Sequence, residues 1–255
     1  MKNRIGEIYT NLYGSNFKII EFINCNNMTI EFDNGYIKEN VSYSNIKKGK
    51  VKNPYDKTIC DIAYIGEGDA PLTVNDNKIS LPYGYWLNMI KRCYSKKLLT
   101  NRPTYMNCKV CNEWLNYNNF YTWYKCNYYE IEGEKMCLDK DILIKGNKIY
   151  SPNACIFVPS RINSLFVNCN KKRGNLPLGV SFNKNKNKYV AQYSKKINDK
   201  TKNTIIGLFN TIEEAFNIYK QTKENYIKQV ADEYKHSIPE KLYDTMYKWR
   251  IEIND

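Results

Sequence analysis

The hydrophobic pattern of this chain changes its period along the sequence. From Phe17 to Ile37, apolar and polar residues alternate in short runs separated by tight turns, and Asp33-Asn34-Gly35 is a typical hairpin turn. From Tyr83, apolar residues recur with a helical period, with Trp86 and Ile90 on one stripe. Alternation then returns near the C-terminus. A chain of this pattern is expected to be α+β, with its strands and helices in successive segments.

Residues 1–75 are expected to form a small antiparallel β domain, a sheet or barrel of SH3-like size. Strand-like runs are separated by turn residues such as Gly6, Gly14 and Gly49. Such modules bind nucleic acid or only pack against neighbours. The pattern does not distinguish these two roles.

The charge of the chain favours a polyanionic partner. Its 255 residues carry a formal net charge of +13, and binding to phosphates releases condensed counterions. Biased codon usage is the alternative source of this charge, because Lys, Asn, Ile and Tyr are all abundant and have A/T-rich codons. The lysines cluster with the motifs described below, which favours nucleic-acid binding.

No window approaches the ~18 consecutive apolar residues of a membrane span, and the first residues lack the apolar run of a signal peptide. The expectation is a cytoplasmic protein without a membrane partner. Nine cysteines in such a chain are reduced thiols or metal ligands. The set that could bind zinc is Cys108, Cys111, Cys137 and Cys155, although only the first two form a close pair; buried thiols are the alternative.

Three motifs follow one another between Trp86 and Phe166. They read W-x2-M-I-x-R-C-Y, then C-x-V-C-x-E-W, then L-D-K-D-I-L followed by Y-S-P-N-A-C and R-I-N. In this order they resemble the DNA-cleaving core of phage-type HNH homing endonucleases. The resemblance implies a ββα-metal domain over residues 80–170.

The same resemblance implies roles for four residues. Asp139 takes the position of the first metal ligand, Asn163 that of the last ligand, and Asn153 that of the residue orienting the base. Oxygen ligands of this kind suit Mg²⁺. Lys140 occupies the position of the histidine that acts as general base. The alternative for Asp139 and Asn153 is a turn-forming role around Gly146.

A lysine is a poor substitute for that histidine. Its ammonium group, with a reference pKa of about 10.4, is protonated at neutral pH and has no lone pair to accept a proton from water. Whether the chain is an enzyme therefore stays open. The sequence favours a nuclease of weak or lost activity, and the alternative is an active Mg²⁺-dependent endonuclease or nickase.

A second set of motifs lies in residues 174–232. Leu178-Gly179-Val180, Lys188-Tyr189-Val190-Ala191, Ile206-Gly207-Leu208-Phe209 and Thr211-Ile212-Glu213-Glu214-Ala215 resemble the AP2-type DNA-binding domain. The resemblance implies a three-stranded sheet followed by a helix, which Thr211 and Glu214 begin as a capping box. Residues 233–255 are expected to be a helical tail.

Strand alternation assigns the two faces of that sheet. Ala191 and Tyr193 are expected to face the helix, and Val190, Gln192 and Ser194 the outside. We expect the outer face to lie on duplex DNA, with Gln192 reading an adenine. The expected nucleic-acid contacts are Arg92, Arg161, Lys184, Lys186, Lys188, Gln192, Ser194, Lys195 and Lys196. The alternatives are a surface ion pair for Arg92 and a solvated loop for the lysines.

The sequence therefore predicts a phage or mobile-element protein that binds duplex DNA and derives from an HNH homing endonuclease. Besides the active nuclease, a third hypothesis is a phage-encoded inhibitor that binds a host nucleic-acid-handling or defence complex. A basic surface without the catalytic base is compatible with such reuse.

Overall fold

The computed structural model describes residues 3–167, 175–197 and 200–255. The described chain is a mixed α+β structure, as expected, with an antiparallel sheet near each end. It divides into two compact units. The first comprises residues 1–126 and 148–152, and the second comprises residues 127–147 and 153–255. Residues 80–170, expected as one domain, therefore contribute to both units.

The strands in chain order are β1 (Ile8–Thr10), β2 (Asn16–Asn24), β3 (Asn27–Phe32), β4 (Ile37–Val41), β5 (Lys109–Val110), β6 (Met136–Asp139), β7 (Ile149–Tyr150), β8 (Ile156–Pro159), β9 (Val180–Asn183), β10 (Lys188–Ile197) and β11 (Lys200–Phe209). The α-helices are α1 (Tyr43–Lys47), α2 (Leu81–Tyr94), α3 (Lys96–Asn101), α4 (Tyr117–Asn127), α5 (Ser160–Leu165), α6 (Ile212–Glu233) and α7 (Glu240–Lys248). Short 3-10 turns occupy Asn75–Asn77, Pro103–Tyr105 and Asn112–Leu115.

The N-terminal sheet is a meander of four antiparallel strands in the order β1-β2-β3-β4. Alternate residues of β2 and β3 point into one core, in which Phe17, Ile19 and Ile30 are fully buried. Ile46 of α1 closes this core. The period-2 pattern therefore predicted both the strands and their buried face.

Helices α2 and α4 provide the other core of the first unit. Trp86 and Ile90 are fully buried, which confirms the stripe predicted for α2. The indole Nε1 of Trp86 donates to the backbone oxygen of Trp114 at 2.7 Å, so a buried donor is satisfied. The segment that follows Cys111 forms a 3-10 turn over Asn112–Leu115 and then α4.

The C-terminal sheet has three antiparallel strands in the order β11-β10-β9, and helix α6 packs on one face. Thr211 Oγ1 accepts the backbone N–H of Glu214, and the Glu214 carboxylate accepts that of Thr211. The predicted capping box is thus confirmed. Ala191 is fully buried in this core and Tyr193 packs against it, as the alternation predicted.

Gly179 is the glycine that this packing requires most clearly. Its φ is +77°, a left-handed backbone conformation that residues other than glycine rarely adopt. A Cβ at this position would overlap the ring of Tyr219 in α6. The absence of a side chain therefore lets the start of the sheet approach the helix.

No helix in the described ranges is both long and apolar enough to cross a membrane.

Candidate nucleic-acid and metal site

Three elements of the second unit form a small ββα arrangement. Strand β6 pairs with β8 in antiparallel register, with Asp139 opposite Ile156, and α5 begins directly after β8. Ile156, Val158 and Ile162 are buried in one core that also receives residues of α6. This core fixes the end of β6, where the candidate catalytic residues lie.

The Asp139 carboxylate is held by the turn that follows β6. Its Oδ1 atom accepts the backbone N–H groups of Asp141 and Ile142, each at 2.8 Å. Burial, together with the negative charge of Asp141, raises the pKa of Asp139 to about 6. This carboxylate caps a turn, so the turn-forming alternative is realised at Asp139.

Lys140 is nearly buried, with 7% of its surface exposed. Its Nζ atom donates to Asp141 Oδ2 at 3.0 Å. The backbone oxygen of Lys140 accepts the Asn147 side-chain amide at 2.7 Å. The ion pair places the ammonium beside a carboxylate, and an ammonium has no lone pair with which to accept a proton from water.

The two asparagines of the expected site lie on different elements. Asn153 is exposed in the turn before β8, and Asn163 is half-buried on α5. Asp139, Asn153 and Asn163 thus all belong to the second unit. Carboxylate and amide oxygens of this kind can bind Mg²⁺, which would supply electrostatic stabilisation of a phosphate.

Metal-binding side chains are not clustered in the part of the chain that the structure describes. No three His, Cys, Asp or Glu side chains are placed to share a metal ion there. The expected zinc ligands Cys108 and Cys155 are buried, and Cys111 and Cys137 are half-buried. Buried thiols, the alternative considered for these residues, describe Cys108 and Cys155.

Both arginines that were expected to contact DNA instead contact side chains of their own units. The Arg161 guanidinium donates to Glu233 Oε2 at 2.5 Å and lies 5.6 Å from the ring centroid of Tyr234. Burial is the largest single influence on Arg161 and disfavours its charged form, but Glu233 and the neighbouring tyrosine hydroxyls together outweigh it and raise the pKa of Arg161. Arg92 lies 5.9 Å from the Tyr105 ring and hydrogen-bonds Tyr150. Neither side chain projects freely toward a phosphate.

The outer face of the C-terminal sheet is less polar and less open than expected. Val190 is only 7% exposed. The Gln192 amide lies 3.4 Å from Ser181 Oγ, and Ser194 Oγ donates to Asn203 at 2.8 Å. These contacts pair the side chains that were expected to read bases.

Lysines of the two hairpins remain accessible. Lys184 and Lys186 are exposed in the turn between β9 and β10, and Lys202 is exposed on β11. Lys188 Nζ donates to Asn210 Oδ1 at 2.6 Å. The backbone of Lys196 belongs to β10. None of the ion pairs found among the described residues neutralises Lys184, Lys186 or Lys202.

Lys195 corrects the predicted orientation of the lysines. Its ammonium lies 5.4 Å from the ring centroid of Tyr226, a residue of α6, so this side chain points to the helix side of the sheet. It follows Ala191 and Tyr193 in the same alternation and therefore shares their face. In the register of the sheet, Lys195 is directly opposite Lys202.

A second amine, from α6, approaches the same tyrosine. Lys223 Nζ lies 5.9 Å from the Tyr226 ring centroid, and Lys223 is 7% exposed. Burial lowers the pKa of Lys223 to about 8. The Tyr226 hydroxyl is buried and has no hydrogen-bond partner of good geometry among the described residues.

The sequence pattern did not lead to a prediction for three residues of this region, Lys202, Lys223 and Tyr226. The signal for Lys223 was present, because it interrupts the apolar stripe of α6 between Tyr219 and Tyr226. A lysine inside such a stripe is either buried or directed to a partner at the margin of the helix.

The chain matches no protein-family model, no curated protein and no solved structure.

Proposed function

We propose that this chain binds duplex DNA through the lysine-rich hairpins of its C-terminal sheet, and that residues 136–165 are a nuclease-like core of weak or lost activity. The first part rests on charge. The second rests on the resemblance to HNH nucleases together with the ion pair of Lys140. A phage or mobile-element origin is part of the same proposal.

The observation that carries DNA binding is the concentration of uncompensated positive charge on the hairpins. Residues 178–210 contain seven lysines and one acidic residue, Asp199. Lys202 is exposed directly opposite Lys195 across β10 and β11, and Lys195 itself turns toward Tyr226. The next acidic residues along the chain, Glu213 and Glu214, lie outside this region in the first turn of α6.

The contacts favoured by this arrangement are with phosphates. The internal hydrogen bonds of Gln192 and Ser194 argue against base reading by these residues. Lysine amines on mobile side chains neutralise backbone charge without sequence preference. We therefore propose binding of modest sequence specificity and steep salt dependence.

A fluorescence-anisotropy titration of a labelled mixed-sequence duplex at several salt concentrations tests the proposal. The test variant carries Lys184→Gln, Lys186→Gln and Lys202→Gln. Each lost phosphate contact reduces the slope of log K against log salt by about 0.9, so three contacts reduce it by roughly 3. A wild-type slope near zero would contradict DNA binding.

A matched control removes the same charge from the N-terminal domain. It carries Lys18→Gln, Lys48→Gln and Lys57→Gln, three exposed lysines outside the second unit. We expect the slope of log K against log salt for this variant to differ from that of the wild type by no more than about 0.9, the contribution of one phosphate contact. Equal losses in the two variants would attribute binding to total charge and exclude the hairpins as the site.

A further inference from the structure

The N-terminal domain contains an open pocket of about 530 Å³ that DNA binding by the C-terminal sheet does not use. It lies where the turn between β3 and β4 meets the loops that follow α1. Its lining consists of Asn34, Gly35, Tyr36, Ile37, Tyr55 and Glu67. Two of these side chains are aromatic, and Glu67 is charged.

The rings of Tyr36 and Tyr55 form a corner. Their centroids are 6.4 Å apart and their planes are inclined by 74°, so the face of one ring meets the edge of the other. The ring of Tyr64 lies behind Tyr55, with its centroid 5.8 Å away. Aromatic faces attract cations through the ring quadrupole, and two inclined rings can contact one cation from two sides.

A carboxylate completes the corner. Tyr55 Oη donates to Glu67 Oε1 at 2.5 Å. This hydrogen bond raises the pKa of Tyr55, so its phenol stays neutral. The Glu67 side chain is exposed, and its Oε2 atom makes no further hydrogen bond with the described residues. A negative charge therefore lies beside the aromatic faces, with one oxygen available to a ligand.

The backbone around the pocket is held in place by buried polar contacts. The side chains of Asn34 and Asn53 exchange hydrogen bonds of 3.3 and 3.5 Å. Asn53 Oδ1 also accepts the backbone N–H of Tyr55 at 3.1 Å. The buried Asp56 carboxylate accepts from the backbone of Asn53 and the side chain of Asn11, at 3.1 and 2.8 Å. Tyr55 is therefore presented by a preorganised loop.

The charge balance of this domain argues against a polyanion as the natural ligand of the pocket. Residues 1–75 contain nine basic and nine acidic residues, so the whole excess of +13 belongs to residues 76–255. A phosphate in the pocket would meet the Glu67 carboxylate. A nucleobase could stack on the rings, but it would not neutralise the charge of the Glu67 carboxylate.

We propose that the pocket binds an alkylated ammonium group, carried by a methylated lysine side chain of a partner protein. Methyl groups spread the positive charge and weaken the hydration that keeps an ordinary ammonium in water, so the aromatic rings favour the methylated form, while the Glu67 carboxylate attracts the cation by its charge. This activity is separate from DNA binding and does not require it.

The test measures binding of the full chain to a fluorescein-labelled, otherwise uncharged peptide containing one trimethyl-lysine. The same peptide with unmodified lysine, choline chloride and adenosine monophosphate are the comparison ligands. We expect saturable binding of the trimethyl-lysine peptide, tighter than that of the lysine peptide. The proposal is overturned if neither lysine peptide binds. It is also overturned if choline or the nucleotide binds more tightly than the trimethyl-lysine peptide.

Variants identify the pocket as the site. Loss of one cation-aromatic contact weakens binding by roughly 2- to 30-fold, which is the change expected for Tyr36→Leu and Tyr55→Leu. Glu67→Gln tests the carboxylate at an exposed position and keeps the test valid if a tyrosine variant fails to fold. Tyr13→Leu, at an exposed tyrosine of the same domain that does not line the pocket, is expected to bind as wild type. Unchanged binding in Glu67→Gln and both pocket tyrosine variants would exclude this pocket.

Discussion

The ammonium of Lys140 lies 3.0 Å from the carboxylate of Asp141, and it does so in a side chain that is only 8% exposed. An ammonium held in this ion pair has no lone pair with which to accept a proton from water. In the proposed likeness to HNH nucleases, Lys140 takes the position of the catalytic histidine, and the structure uses that position for an ion pair. The proposal of a nuclease-like core of weak or lost activity rests on this relationship.

Supercoiled plasmid is expected to be nicked no faster by the wild-type chain with Mg²⁺ than by Asp139→Ala. The reason is that the residue next to Asp139 is Lys140, an ammonium paired with Asp141. Gel quantification of open-circle product over time measures this, and chelation of Mg²⁺ provides the background rate. Faster nicking by wild type than by Asp139→Ala, abolished by the chelator, would establish the active-nuclease alternative.

Two substitutions at Asp139 are expected to differ in stability. Asp139→Ala leaves the N–H groups of Asp141 and Ile142 without their acceptor and costs about 2–4 kcal/mol of unfolding free energy. Asp139→Asn keeps an oxygen acceptor and removes a charge that burial disfavours. We expect it to be more stable than the alanine variant by about 1–3 kcal/mol at pH 7. Urea denaturation of both variants provides the comparison, and equal stabilities would exclude the turn-capping role.

Lys223→Met is expected to stabilise the protein at pH 7 and to change its pH profile. Burial lowers the pKa of Lys223 to about 8, below its unfolded value of about 10.4. The folded state therefore binds fewer protons between these values, and the stability of the wild type should rise with pH from about 8 to 10.4.

The methionine variant lacks this rise and should gain about 1–3 kcal/mol at pH 7, since burying a charge no longer opposes folding. Denaturation midpoints at pH 7 and pH 10 measure both effects. Lys220→Met, at a half-exposed position of the same helix, controls for the general effect of losing a lysine. A wild-type profile parallel to that of Lys223→Met would contradict a depressed pKa.

Gly179→Ala is expected to destabilise the second unit by about 3 kcal/mol, because left-handed backbone strain adds to the overlap with Tyr219. Gly133→Ala separates the two effects. Gly133 has a φ of +74° but open space where a Cβ would lie, so about 1 kcal/mol is expected from strain alone. Thermal unfolding measures both variants, and similar losses would show that packing against Tyr219 is unimportant.

Local signals explain why the C-terminal part of the fold could be predicted. The alternation of Tyr189, Ala191 and Tyr193 sets the buried face, and the Thr211–Glu214 capping box sets the start of a 22-residue helix. The same holds for the strands around the Asp33-Asn34-Gly35 turn. These features depend on residues only a few positions apart, so the sequence displays them directly.

The pairing of β5 with β7 could not be predicted in this way. It joins Lys109 to Ile149 in a parallel pair of only two residues per strand, too short for a periodic signal. The split of the segment 80–170 between two units depends on such long-range contacts.

The candidate site was less predictable than the fold. Roles were assigned by the order of motifs, whereas the availability of each side chain is decided by distant partners. Arg161 is paired with Glu233, 72 positions away, and Lys195 lies over Tyr226. Periodicity predicts which face of a strand a side chain lies on, but not which distant residue packs against it. Only the structure therefore distinguishes the cations that contact other residues from those that are exposed.

The five residues 148–152 belong to the first unit, although the chain on both sides of them belongs to the second. A single cut after residue 126 would carry β7 away from β5, its hydrogen-bonding partner, and leave the first unit without residues 148–152. The complete first unit can therefore not be exchanged or excised through one crossover in the gene without taking residues 127–147 of the second unit with it. Recombination that preserves both units has to move the chain as a whole.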